Sequence, residues 1–287
     1  MNILIAEEAG FCFGVKRAMK ITEKVVAQEC GEGEKLYTFG PLIHNPQVIN
    51  RLHEKGVAVA EDLDDVTDGT VIVRTHGIAP QRMEELKERA DKVIDATCPY
   101  VTKSQSFASQ LHQEGYHVLI IGDKNHPEIK GVIGFINENY TVIKTVEEVE
   151  TLKFYPKLGV IAQTTFNVGT FNTILSKLSD KANEIRIFNT ICDDTFVRQR
   201  SAAQLAGRAD VMIIVGGRNS ANTNKLVEIC RGIQPRTYHI EEVKEIEEID
   251  FSHVKSVGIT TGASTPDWII ADVVERLKHV PAHSAVS

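Results

Sequence analysis

The feature that most restricts the fold is a block that recurs three times. "NILIAEEAGFC", "DKVIDATC" and "EIRIFNTIC" each run from a short β-type stretch through a turn to a cysteine. Cys12, Cys98 and Cys192 therefore stand at intervals of close to a third of the chain. After each cysteine comes a stretch with apolar or small residues at helical spacing: "GVKRAMKITEKVV", "TKSQSFASQLHQEG" and "TFVRQRSAAQLAGRA". Next come "KLYTFGPLIHNPQVI", "VLIIGDKNHPEIKGV" and "VMIIVGGRNSANTNKLV", each opening with a β-run that ends in glycine. Four residues beyond Gly40, Gly122 and Gly216 stand His44, His126 and Ser220. A short strand with an acidic turn follows in "GVAVAEDLDDV", "YTVIKTVEEVE" and "TYHIEEVKEIEE". Each series closes on a strand with a small polar end or His, in "GTVIVRTHGIAP", "LGVIAQTTFNV" and "SVGITTGASTPD". Five blocks in one order, three times, are more than the general likeness of α/β sequences accounts for.

Apolar β-runs alternating with helical stretches predict parallel sheets covered on both faces. The expected fold is α/β, with three pseudo-equivalent units at residues 1–97, 98–191 and 192–280 and a tail at 281–287. Ligands of open parallel sheets bind beyond the carboxyl ends of the strands. A trefoil with those ends inward would bring Cys12, Cys98 and Cys192 together around a central metal. Each cysteine would be solitary in its own unit because its partners come from the other two.

Composition excludes several functions. The chain has 287 residues, 42% of them hydrophobic and 25% charged, with a net charge of −7. That balance suits a soluble globular protein and argues against a nucleic-acid or anionic-membrane surface. "MNILIAEEAG" lacks a basic start, and no apolar run approaches the roughly 18 residues of a spanning helix, so a cytoplasmic protein is expected. Five cysteines with no C-x-x-C argue against a disulfide framework. Cys30 and Cys230 follow helical stretches and need no role, and the runs EEVKEIEEID and EDLDDVTD read as solvated faces. Neither a dinucleotide fingerprint nor a phosphate-binding P-loop occurs, so a reduction would draw its electrons from outside.

Three converging thiolates call for a cation. Zinc with three thiolates and a water is one option. An iron–sulfur cluster with one iron left open is the other, and ligand softness permits both. The same strand ends carry His44, Asn45, His76, His126, Glu128, Gln163, Thr164, Thr165, Ser220, Asn222 and Ser264. A pocket of His, Ser, Thr and Asn near helix N-termini suits a phosphate or diphosphate. Glu128, two residues from His126, is placed to relay protons or to favour a helix dipole. Redox-neutral lyase, zinc hydrolase and metal-sensing module are the rival readings of these residues.

The motifs "AGFCFGVKRA", "GPLIHNPQVI", "VRTHGIAP", "DATCPYVTK", "NHPEIKGVIG", "AQTTF", "NTIC", "GGRNSANTNKL" and "GASTPDW", in this order, resemble the LytB-type 4-hydroxy-3-methylbut-2-enyl diphosphate reductases nearly end to end. The resemblance implies a [4Fe-4S] cluster with Cys12, Cys98 and Cys192 as ligands and one open iron. His44, His76, Ser220, Asn222 and Ser264 would bind the diphosphate. His126, Glu128 and Thr164 would sit by the allylic hydroxyl, with Glu128 as proton source. It implies a two-electron reductive dehydration, fed by a ferredoxin- or flavodoxin-type donor. Two positions depart from the family pattern: Ala221 stands where serine is usual, and Asp194 where a small residue is common.

Overall fold

The structure, a computed structural model, describes residues 1–29, 35–136 and 138–280; Cys30 and the tail at 281–287 lie outside the described residues. Strand β1 (Asn2–Ile5) leads into helix α1 (Phe13–Glu29). The first repeat continues with β2 (Leu36–Phe39), α2 (Pro46–Glu54), β3 (Val57–Ala60), β4 (Thr70–Val73), α3 (Pro80–Arg89) and β5 (Lys92–Asp95). The second runs through α4 (Pro99–Gln113), β6 (His117–Ile121), α5 (Pro127–Ile133), β7 (Tyr140–Ile143), β8 (Tyr155–Ala162), α6 (Val168–Ser176) and β9 (Ala182–Ile187). The third holds α7 (Asp193–Ala206), β10 (Val211–Val215), α8 (Ala221–Ile233), β11 (Thr237–Ile240), β12 (Ser256–Thr261) and α9 (Asp267–Lys278).

Among the described residues these strands form three four-stranded parallel sheets, ordered β3-β2-β4-β5, β7-β6-β8-β9 and β11-β10-β12-β1. The order is the same each time, which makes the repeat a property of the topology. The strand that precedes each cysteine is always an edge strand. For the last sheet that strand is β1, which pairs with β12 from Asn2↔Ser256 to Ile5↔Ile259. A boundary drawn at residue 97 puts β1 in the first unit, whereas its hydrogen bonds go to the third sheet.

The uninterrupted apolar runs follow from two-sided burial. In β6, Leu119 and Ile121 face one core, with Phe171 and Ile174 of α6. Val118 and Ile120 face another, with Leu111 of α4 and Ile129 of α5. In β10, Val211, Ile213 and Val215 pack with Ile269 and Val273 of α9. Met212 and Ile214 pack with Leu205 of α7 and Leu226 of α8. Period-two alternation thus splits each run between two helix layers. Gly159 in β8 and Gly258 in β12 occupy matching places, where a Cβ would lie 2.7 Å from Leu111 and 2.9 Å from Leu205. Only a bare backbone lets the helices that follow Cys98 and Cys192 lie that close.

The acidic runs have a structural use beyond solvation. Asp65 accepts the backbone N–H groups of Glu61 and Asp62 at 2.9 and 3.0 Å. Glu148 does the same for Lys144 and Thr145 at 2.5 and 2.9 Å, and Glu245 for Glu241 and Glu242 at 2.7 Å each. One carboxylate per repeat thereby satisfies the orphan donors of a short 3-10 turn.

The chain divides into two compact units. One comprises residues 1–15, 43–48 and 193–287 and holds the β1-containing sheet; the other comprises 16–42 and 49–192 and holds the other two. Among the described residues, no helix is long and apolar enough to cross a membrane.

Candidate functional site

Each cysteine is held by the same backbone hydrogen bond. The N–H of Cys98 donates to Thr75 O at 3.0 Å, that of Cys192 to Thr164 O at 2.9 Å, and that of Cys12 to Ala263 O at 3.1 Å. The acceptors lie two residues past the ends of β4, β8 and β12, the neighbours of the three edge strands. All three cysteines are half-buried. The Cys12 sulfur accepts the Val15 N–H at 3.4 Å. Burial pushes the Cys98 thiol up, opposed by the N–H groups of Tyr100 and Val101 in the first turn of α4. For Cys98 the balance favours the thiol, and a cation would be needed to reverse it.

In the unit that contains Cys98 and Cys192, Glu128 is 1% exposed. Its carboxylate accepts the Thr164 N–H at 2.7 Å and the Thr164 hydroxyl at 2.6 Å. Burial pushes its pKa up to about 7, against the pull of both Thr164 bonds. Burial wins because two donors replace only part of the water shell a carboxylate requires. The result is a carboxyl group that exchanges a proton near neutrality. It lies close enough to Cys98 for its anion to raise that thiol further.

His126 precedes Pro127, and its Nδ1 accepts the Glu128 N–H at 3.2 Å, capping α5. The His76 and His126 rings meet edge to face at 5.3 Å. Gly77, directly after His76, has φ +66, and a Cβ there would lie 2.7 Å from Gln105 Nε2. Glycine is needed for the His76 turn to rest on α4. Gln163 and Thr165 bond to each other at 3.0 Å, and Gln163 also accepts the Asp123 N–H, so both are occupied in shaping the loop.

In the other unit, Ser220 caps α8 by accepting the Thr223 N–H at 3.3 Å. Asn45 caps α2 by accepting the Val48 N–H at 3.2 Å. Ser264 donates to His44 O at 3.0 Å. A Cβ on Gly217 would lie 2.6 Å from that same carbonyl, so only glycine permits the approach. Asn222 is 5% exposed, and neither its Oδ1 nor its Nδ2 has a hydrogen-bond partner. Both ends of a buried amide left unsatisfied cost stability and mark a place where a polar ligand belongs.

The other singled-out positions resolve simply. Cys230, on α8, is packed against α7, and burial pushes its thiol up to about 12, which makes it inert. Asp194 is taken up by Arg198, a fully buried guanidinium that sequence reasoning overlooked. The available signal was the spacing of the two residues on one helix face.

Comparison with known proteins follows the same lines. The LytB protein family matches residues 3–278. 4-Hydroxy-3-methylbut-2-enyl diphosphate reductase of Trichlorobacter lovleyi is 45% identical over 280 residues, covering 98% of this chain and 99% of that protein. The reductase of the same name from Aquifex aeolicus is 44% identical over 290 residues, covering 100% and 99%. Two solved structures are similar as well. That of (E)-4-hydroxy-3-methyl-but-2-enyl diphosphate reductase, the terminal enzyme of the non-mevalonate pathway, is 43% identical with a TM-score of 0.71, covering 98% of this chain and 100% of its own. The E-1-hydroxy-2-methyl-but-2-enyl-4-diphosphate reductase of Plasmodium falciparum is 30% identical with a TM-score of 0.90, covering 98% and 89%. With a match that runs from β1 to the last residue of α9, over a thrice-repeated cysteine slot, the chain belongs to the LytB family.

Proposed function

We propose that this chain is the reductase its relatives are named for. It converts 4-hydroxy-3-methylbut-2-enyl diphosphate to isopentenyl and dimethylallyl diphosphates, the last step of the methylerythritol phosphate route. Two electrons and two protons enter, the allylic C–O bond breaks, and water leaves. The observation that carries this reading is the buried Glu128–Thr164 pair, a neutral-pH proton donor beside a cysteine of the repeated slot.

The donor set fits an iron–sulfur cluster: Cys12, Cys98 and Cys192 occupy equivalent strand-end positions, and backbone N–H groups face the sulfurs of Cys12 and Cys98. These three would hold a [4Fe-4S] cluster with one open iron. Bound there, it would supply Lewis acidity toward the allylic oxygen and a path for electrons. No nucleotide-binding motif accompanies the fold, so a ferredoxin- or flavodoxin-type protein is the proposed donor. Thiols that must stay reduced support a cytoplasmic enzyme.

The chain's own residues supply binding and the proton. Asn222 would turn its unsatisfied amide to the diphosphate, beside Ser220 at the start of α8 and Ser264 on the His44 loop. His44 and His76 would add positive charge, and the gripped diphosphate would fix the allylic end in place. Glu128, protonated through about half its population near pH 7, would deliver a proton to the departing oxygen with His126 and Thr164 as its orienting neighbours. The second proton ends on one terminus or the other of the allyl fragment, which gives the two isomers.

The test is anaerobic purification, followed by iron, sulfide and zinc per chain and turnover with a chemical reductant. About four iron and four sulfide with reductant-dependent loss of substrate supports the reading. Zinc alone, or turnover without a reductant, overturns it.

A further inference from the structure

We propose that Arg198 is a positioning residue for the cysteine loops and that Asp194 stands beside it to cancel its charge. The inference rests on the reading of Cys12 and Cys192 as ligands. Arg198 is 1% exposed and, among the described residues, heads the fully buried side chains by volume. Its Nε and Nη2 donate to the two Asp194 oxygens at 3.0 and 3.2 Å, and its Nη1 donates to Thr261 O at 3.2 Å. Thr261 is the last residue of β12, and its hydroxyl accepts the Gly10 N–H at 2.8 Å. Two residues further along each segment, Cys12 N–H donates to Ala263 O. Arg198 thus grips the strand end from which the Cys12 loop hangs by two bonds. All of these residues lie in one compact unit.

The far side of the clamp is the first turn of α7. Asp194 is two residues beyond Cys192 along the chain, and its carboxylate is tied to the same guanidinium. One buried side chain therefore fixes the backbone that flanks two of the three cysteines. Gly10 has no slack to replace these bonds: its φ is +106, and a Cβ there would meet Asp267 Oδ1 at 2.5 Å. Burying a guanidinium is unfavourable unless its donors are taken, and apolar replacements of such pairs are often more stable. Retaining one here is explained by what its planar fork does geometrically, which a lysine cannot reproduce. Neighbours that orient metal ligands commonly change affinity for the metal about 10–100-fold when removed.

The experiment compares wild type, Arg198→Met, Arg198→Lys, Asp194→Asn and a core variant of the other compact unit, Leu119→Ala, as anaerobic holoproteins. Iron release to a ferrous chelator is timed well below the melting temperature, the reduced cluster's electron paramagnetic resonance spectrum is recorded, and its midpoint potential is measured. Arg198→Met is expected to release iron at least about tenfold faster than Leu119→Ala and to alter the spectrum, with Arg198→Lys between it and wild type. Asp194→Asn leaves the buried cation uncompensated, which favours the more negative reduced cluster and raises the potential. Arg198 variants that release iron like Leu119→Ala with an unchanged spectrum overturn the positioning role. If Arg198→Met does not fold, Arg198→Lys alone decides it. An unchanged potential in Asp194→Asn overturns the charge compensation. Wild type without iron and sulfide overturns the cluster reading itself, and the proposal with it.

Discussion

Replacing Glu128 by Gln separates chemistry from stability in one side chain. Glu128 is nearly completely buried, and its pKa is raised from 4.5 to about 7 by burial. A group whose folded pKa is raised is favoured by folding when protonated. Its contribution is full below the unfolded pKa and is lost as pH rises from about 4.5 to about 7. At 1.36 kcal/mol per unit, the shift is worth about 3 kcal/mol above pH 7. Gln is isosteric and neutral, and its carbonyl can still accept the Thr164 N–H. Glu128→Gln is therefore expected to be more stable than wild type by about 3 kcal/mol at pH 8, with the gap narrowing steadily toward pH 5. That corresponds to a melting temperature about 5 °C higher at pH 8 for a chain of this size. Turnover should fall by roughly 10²-fold or more, because the amide donates no proton to the departing oxygen. Wild-type kcat should decline above pH 7 as Glu128 ionises, and the residual activity of the variant should lack that limb. Calorimetry at several pH values and a kcat profile on matched anaerobic samples measure both effects. A stability gap that does not change with pH, or a variant of full activity, would refute the reasoning.

Three further outcomes follow from the same geometry. Cys98→Ser should lose iron and sulfide together by elemental analysis while circular dichroism stays that of the wild type, because the backbone bond to Thr75 survives the change. Asn222→Ala removes an amide with no internal partner, so the melting temperature should not fall, whereas the Kd for inorganic diphosphate by calorimetry should rise about 5–150-fold. Gly217→Ala forces a Cβ to 2.6 Å from His44 O and should cost about 1–3 kcal/mol in denaturant unfolding; no cost would mean that the loop yields freely.

Much of this architecture was legible before any coordinates. Runs such as VLII and VMIIV, each followed by Gly and then His or Ser, announce parallel strands and the loops at their ends, because side-chain period and turn chemistry act over a few residues. The motifs around Cys12, Cys98 and Cys192 are equally local, and they carried the family resemblance. Other readings depended on neighbours far along the chain. The runs EDLDDVTD and EEVKEIEEID read as solvated faces, yet Asp65 and Glu245 cap turns, since capping is a matter of where a carboxylate lands. Asp194 read as a departure from the family pattern, and its partner, the buried Arg198, is visible only in the structure.

By itself, then, the sequence determined the strand–cysteine–helix repeat, the parallel α/β class and the residue types gathered at the strand ends. Only the tertiary structure decided that β1 completes the last sheet, that Glu128 is dry enough to hold its proton to about pH 7, and that Asn222 is left without a partner. The physical reason is range. Periodicity and turns are written in adjacent residues, whereas strand pairing, desolvation and hydrogen-bond satisfaction depend on groups that chain order alone does not bring together.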